Sequence, residues 1–85
     1  MLYYILGVYQ HQKGDLGAAL DAYNDAEKLG LTDAEFHYNF GLLLVDLKDY
    51  EAAREYAAKA YAAGVPFPGL RNKLERAGQW RVASQ

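Results

Sequence analysis

Chemistry in this chain has to start from very few residues. The two histidines, His11 and His37, are 26 positions apart. Neither belongs to a His-x-x-x-His pair, the spacing that sets two rings on one helical face for a metal. Asp46 and Asp49 are close enough in sequence to work as a carboxylate pair, but no nucleophile–base set accompanies them. Asp49 is also better explained as a residue that turns the chain. A packed ring is the favoured reading of His37. The glycines are scattered singly, so no phosphate-cradling loop is present. Cysteine is absent, which excludes disulfides and thiolate zinc sites. Eight tyrosines offer faces on which nucleobases stack, but 11 acids against 9 bases oppose a phosphate backbone. These residues predict no enzyme, no cofactor, no metal site and no nucleic-acid partner.

The 85 residues are enough for one domain. A hydrophobic content of 52% with 24% charged residues is too apolar for a disordered chain. Apolar runs such as Leu42 to Val45 are far short of the roughly 20 residues a membrane helix needs, so no membrane insertion is expected. The start, Met1 to Leu6, lacks the basic residues and cleavage site of a secretion signal.

Internal repetition organises the chain. A shift of 34 residues gives seven identities: Tyr4/Tyr38, Gly7/Gly41, Asp15/Asp49, Ala18/Ala52, Ala19/Ala53, Ala26/Ala60 and Gly30/Gly64. Leu2 and Phe36 are followed in the same register by Leu70, and Leu6 and Phe40 by Leu74. The chain is therefore two full units and the first helix of a third.

Each unit reads as two helices. Leu2, Ile5, Leu6 and Tyr9 recur at spacings of three and four, on one helical face. Gly14-Asp15 breaks the pattern, and a second helix runs from about Leu16 to Leu29 before Gly30. The next pair covers about Asp33 to Leu47, capped by Thr32 or Asp33, and Tyr50 to Ala63 before Gly64. Val65-Pro66-Phe67-Pro68-Gly69 is a stiff connector. A fifth helix covers about Pro68 to Ala77. The tail from Gln79 to Gln85 is loose, with Trp80 the residue able to fold back on the body. Glycine inside a helix costs about 1 kcal/mol relative to alanine. Gly7 and Gly41 bear that cost at one repeat position, which predicts close helix contact, Gly7 against Ala19 and Gly41 against Ala53.

These residues resemble the tetratricopeptide repeat family. Unit one carries Tyr3, Leu6-Gly7, Gly14-Asp15, Ala19-Leu20, Tyr23 and Ala26. Unit two carries His37, Phe40-Gly41, Asp49-Tyr50, Ala53 and Ala60. The departures are Gln10 and Leu44 where the family has Tyr, and Leu31 and Val65 where it has Pro. The resemblance implies an all-α fold of five helices, an α-solenoid of antiparallel helix pairs. It divides the chain into a repeat domain over 1–78 and a tail over 79–85. Within the domain lie repeat one (about 1–31), repeat two (about 33–64) and a capping helix (about 68–77).

The resemblance also implies a non-catalytic protein-interaction module that holds a peptide or partner helix in a concave groove. The groove positions carry over as Tyr4, Val8, His11, Tyr38, Asn39, Leu42, Asn72, Lys73 and Arg76. A subgroup of the family clamps acidic chaperone tails with a Lys-Asn-Asn-Lys-Arg set. Only Asn39 and Lys73 match that set here, and Tyr4, Val8 and Gly69 replace other members. An apolar peptide with an acidic end near Lys73 and Arg76 fits this groove better.

Charge is uneven along the chain. Residues 1–66 hold five bases and ten acids, a net −5, and residues 67–85 hold four bases and one acid, a net +3. The basic end suits an acidic partner or the acidic body of another copy. Two and a half units fall below the about three that repeat arrays usually need. The first helix has no capping residue ahead of it and leaves Leu2, Ile5, Leu6 and Tyr9 to be covered. Two alternatives to the groove reading follow. One is a structural module that self-associates, for instance as a homodimer through the uncapped first helix. The other is a carboxyl-terminal accessory fragment of a longer repeat protein. A soluble cytoplasmic setting is favoured, or a periplasmic one for an excised fragment.

Overall fold

In the computed structural model, residues 5–30 and 32–80 are described. They form five helices: α1 (Ile5–Gln12), α2 (Leu16–Lys28), α3 (Ala34–Asp46), α4 (Tyr50–Ala62) and α5 (Gly69–Arg76). No strand occurs among the described residues. The chain turns back within a few residues after α1 and after α3, so α1 packs on α2 and α3 on α4 as hairpins. Helix α3 also touches α2 and α5, which chains the hairpins into a solenoid.

Local chemistry fixes these ends. Asp15, Asp33 and Asp49 each accept the backbone N–H three residues on, from Ala18 (3.2 Å), Phe36 (2.7 Å) and Ala52 (3.3 Å). Each aspartate thus satisfies one of the orphan donors of its helix. At the other end, the residue after the cap takes a left-handed conformation, where glycine carries no Cβ penalty. Gly14 does this after α1 at φ 89°, but its register partner after α3 is Lys48, at φ 64°. The same bonds close both turns: Asp15 N–H to Gln10 O and Asp49 N–H to Leu44 O, each at 2.9 Å. Lys48 is held left-handed by the helix geometry against its own preference.

Helix α5 starts differently. Pro68 has no polar side-chain atom, and no side-chain cap is made there. The Tyr61 hydroxyl of α4 takes that place. It accepts the Arg71 N–H at 3.1 Å and donates to the Phe67 carbonyl at 2.7 Å.

The core lies between α2, α3, α4 and α5. Tyr23, Phe36, Leu43, Leu70 and Leu74 are its largest fully buried side chains. Tyr23 stacks on Phe40 with ring centres 5.1 Å apart and planes 11° apart. Tyr56 leans on the same Phe40 at 4.6 Å.

Gly7 and Gly41 admit different neighbours from those the register predicts. The atoms nearest a Cβ at Gly7 belong to the Tyr23 ring and Ala22, at 3.1–3.2 Å, rather than to Ala19. The atoms nearest a Cβ at Gly41 belong to Leu70, the closest at 2.6 Å, rather than to Ala53. The reason is an exchange of large and small residues. Unit one has Ala22-Tyr23 where unit two has Tyr56-Ala57. Tyr23 fills the notch over Gly7 from within its own hairpin. Ala57 is too small to do the same over Gly41, and Leu70 of the following helix enters instead.

Candidate functional site

The face carrying the predicted groove residues is built from α1, α3 and α5. Along α3, Tyr38 and Asn39 lie three and four residues after Glu35, Leu42 lies four and three after them, and Asp46 four after Leu42, so these residues share one side of the helix. Asp46 ends that row and joins its neighbours. His11 Nε2 of α1 donates to Asp46 Oδ2 at 2.6 Å, and Lys73 Nζ of α5 donates to Asp46 Oδ1 at 2.6 Å. One carboxylate therefore ties the first helices of all three units together.

The electrostatics follow from that geometry. Burial alone pushes the Asp46 carboxyl up, but the hydrogen bonds from His11 and Lys73 and their charges outweigh it, and it lies below the ordinary carboxylate range. The Asp46 side chain keeps about a third of its surface in solvent (34%), so the contact is screened rather than sealed. A His–Asp pair is the orienting half of a nucleophile–base set. Here the second carboxylate oxygen is taken by Lys73. The only serine and threonine are Ser84, outside the described residues, and Thr32, which precedes α3. Asp49 does not join Asp46, since it caps α4. Among the described residues no group of three or more His, Cys, Asp or Glu could hold a metal ion.

The remaining predicted residues divide by depth. Val8 and Leu42 are half-buried and rest on the core with only part of each side chain outward. Asn39 and Asn72 are half-buried, and Arg76 is exposed at the rim. Tyr38 leans edge-on against Tyr61 (6.4 Å) and Phe67 (5.6 Å), at the α4–α5 end. Tyr4 lies outside the described residues. His37 packs as expected, edge-on to Phe36 at 5.5 Å and tilted on Tyr56 at 5.7 Å. Burial, and then the Lys59 charge, push its imidazole below the ordinary histidine range against the smaller upward pull of Glu27 and Asp33.

Against known families, the tetratricopeptide repeat pattern matches residues 2–29 and again 34–63. The chain belongs to the tetratricopeptide repeat family. Its two matched repeats are the α1–α2 and α3–α4 hairpins, and α5 stands where the first helix of a third repeat would be. Tetratricopeptide repeats are protein-interaction modules, typically non-catalytic scaffolds. Comparison with curated proteins and with solved structures finds no match. Among the described residues, no helix is long and apolar enough to cross a membrane.

Sequence reasoning placed His11 and Lys73 on the groove face but missed that Asp46 joins them. That signal was weak, because the three residues come from different helices at unequal spacing. It also missed Tyr61. Pro68 just ahead of a helix that lacks a capping side chain was the available clue that another element must supply the acceptor.

Proposed function

We propose that this repeat module grips an extended peptide or a partner helix along the face shared by α1, α3 and α5, and is not a catalyst. The interacting unit is residues 1–78. Val8, Tyr38, Asn39, Leu42 and Asn72 supply the contact surface, with Tyr4 beside them in the register. The observation that carries this reading is the His11–Asp46–Lys73 bridge, because it fixes the spacing of the three helices before any ligand arrives and so lowers the ordering cost of binding. The bridge also changes the expected ligand. Lys73 is already paired, so the acidic end of a ligand meets the exposed Arg76 rather than Lys73.

Random twelve-residue peptides displayed on phage, selected on the whole chain, provide the probes. The best binders are titrated against the chain and against an Asn39→Ala, Leu42→Ala double variant whose helicity is verified by circular dichroism. A loss of about tenfold or more supports the groove, since one lost 1.4 kcal/mol of contact is tenfold. Unchanged affinity for every binder would falsify it.

A second reading has its own observation. Ile5, Leu6 and Tyr9 of α1 are each more than half exposed (53%, 58% and 55%). Their register partners on α3 include the buried Phe40 and Leu43. In this reading α1 is an assembly surface, and Leu6→Glu dissolves an oligomer that sedimentation detects in the parent chain.

A further inference from the structure

The connector between α4 and α5, the first turn of α5 and the segment after α5 together line a cleft of about 480 Å³ outside the groove. Its volume is in the range of about 300–1,000 Å³ that small-ligand and side-chain pockets occupy. Its walls are Tyr61, Pro66, Phe67, Pro68, Arg71 and Trp80. These are rigid apolar faces with one cation.

The cleft is held open by bonds already made. Tyr61 fixes the connector through its hydroxyl, donating to the Phe67 carbonyl and accepting the Arg71 N–H. The Arg54 guanidinium of α4 donates to Gln79 Oε1 at 2.8 Å and to the Gln79 carbonyl at 3.4 Å. That anchors the residue before Trp80, whose ring stands edge-on to Tyr61 at 6.0 Å. Phe67 meets Tyr38 edge-on and still keeps 45% of its surface exposed.

Arg71 supplies the polar end. Its side chain is half exposed, and its ion pair with Glu75 is long, at 3.9 Å within one helix. Such a pair is worth little and yields readily to a ligand carboxylate that meets the guanidinium at two points. Residues 67–80, which hold most of its walls, carry three bases and one acid, a net +2. Flat aromatic and proline faces beside a cation match an extended chain whose apolar or proline side chain is followed by an acid.

We propose that this cleft is a second docking site, separate from the groove, for an extended acidic segment of a partner protein. A leucine or proline of that segment lies between Phe67 and Trp80, and its neighbouring carboxylate pairs with Arg71.

Trp80 is the only tryptophan and lies in the wall, so its emission reports the site directly. The probes are Ac-Asp-Leu-Pro-Leu-Asp-NH2 and its Asn counterpart, Ac-Asn-Leu-Pro-Leu-Asn-NH2, titrated into the whole chain. The acidic peptide is expected to shift Trp80 emission saturably. The Asn peptide, and the Arg71→Gln variant with the acidic peptide, should bind at least about tenfold more weakly, the scale of one lost charge-assisted contact. Arg71→Gln keeps the backbone bond to Tyr61, so the cleft stays formed. The Asn39→Ala, Leu42→Ala groove variant should bind the acidic peptide as the parent does, which separates this site from the groove. No saturable shift up to millimolar peptide, or equal binding of the two peptides, overturns the proposal. A Trp80 shift that grows with protein concentration alone assigns the cleft to a second copy and overturns it as well.

Discussion

In the first hairpin, α1 buries only Gly7 among its residues, whereas in the second, α3 buries Phe36, Phe40, Gly41, Leu43, Leu44 and Val45. The two helices occupy the same repeat position and share a glycine in register, Gly7 and Gly41. What differs is the neighbours. Helix α3 packs on α4 and is flanked by α2 on one side and α5 on the other, while α1 packs on α2 and reaches α3 through the His11–Asp46 contact. Repeat sequence thus sets which face of a helix is apolar, and stacking decides whether that face becomes core. The same contrast runs through the second helices. Tyr23 is sealed at 0% exposure between two hairpins, whereas Tyr56, one position off its register, is only half-buried and donates to Glu27 of α2 at 2.5 Å.

The largest test of this contrast removes the residue that joins the hairpins. Tyr23→Ala deletes a ring packed on Gly7, Phe36 and Phe40, and should cost about 3–5 kcal/mol in urea unfolding. Tyr56→Ala should cost clearly less, because Tyr56 is only partly buried; equal losses would erase the distinction between the hairpins.

The next test concerns the two notches. Gly41→Ala places a methyl 2.6 Å from a Leu70 methyl in a fully buried side chain, and overpacking of this kind costs about 1–3 kcal/mol. The gain in helix propensity, about 1 kcal/mol, offsets it only in part. Gly7→Ala meets its neighbours at 3.1 Å or more, and propensity should leave it near neutral. A thermal melt of the two variants ranks them, and a reversed order contradicts the account of how Leu70 replaces Tyr23.

A smaller effect sharpens the comparison at the turns. Lys48→Gly should stabilise the chain by roughly 0.5–1 kcal/mol by releasing a left-handed non-glycine residue. Gly14→Lys should destabilise by a similar amount, so the two hairpins exchange their turn chemistry. Chemical denaturation of the pair checks the opposite signs.

The smallest effect belongs to the bridge across the groove. The folded Asp46 carboxyl lies below its unfolded value of 3.8. Its contribution is therefore complete above that value and disappears as pH falls through the lower folded value. Stability measured from pH 6 down to pH 2 should fall less steeply in Asp46→Asn than in the parent, by about 0.5–1 kcal/mol, the scale of a partly exposed pair. Parallel curves would mean that His11 and Lys73 do not hold the carboxylate in solution.

Much of this architecture is legible in the sequence because it is set by local chemistry. Asp15, Asp33 and Asp49 announce helix starts, Gly14, Gly30 and Gly64 announce ends, and the helix limits follow within about one residue. Ile5, Leu6 and Tyr9 are each more than half exposed, and their apolar stripe was also readable, from its spacing. Side-chain partners across helices were not. Which atom enters the Gly41 notch depends on the volume at position 57, one unit away from the residue that fills it. Asp46 meets His11 and Lys73 only after three helices have been stacked. Trp80 returns to Tyr61 because Arg54 holds Gln79, a contact that no periodicity encodes.

The central claim is that the face joined by Asp46 is the surface that meets a partner. Backbone amide shifts in two-dimensional NMR, recorded as a phage-selected peptide is added to the whole chain, test it most directly. The account predicts the largest changes at Val8, Asn39, Leu42 and Asn72, along α1, α3 and α5. Changes confined to α2 and α4, with that face silent, would contradict it.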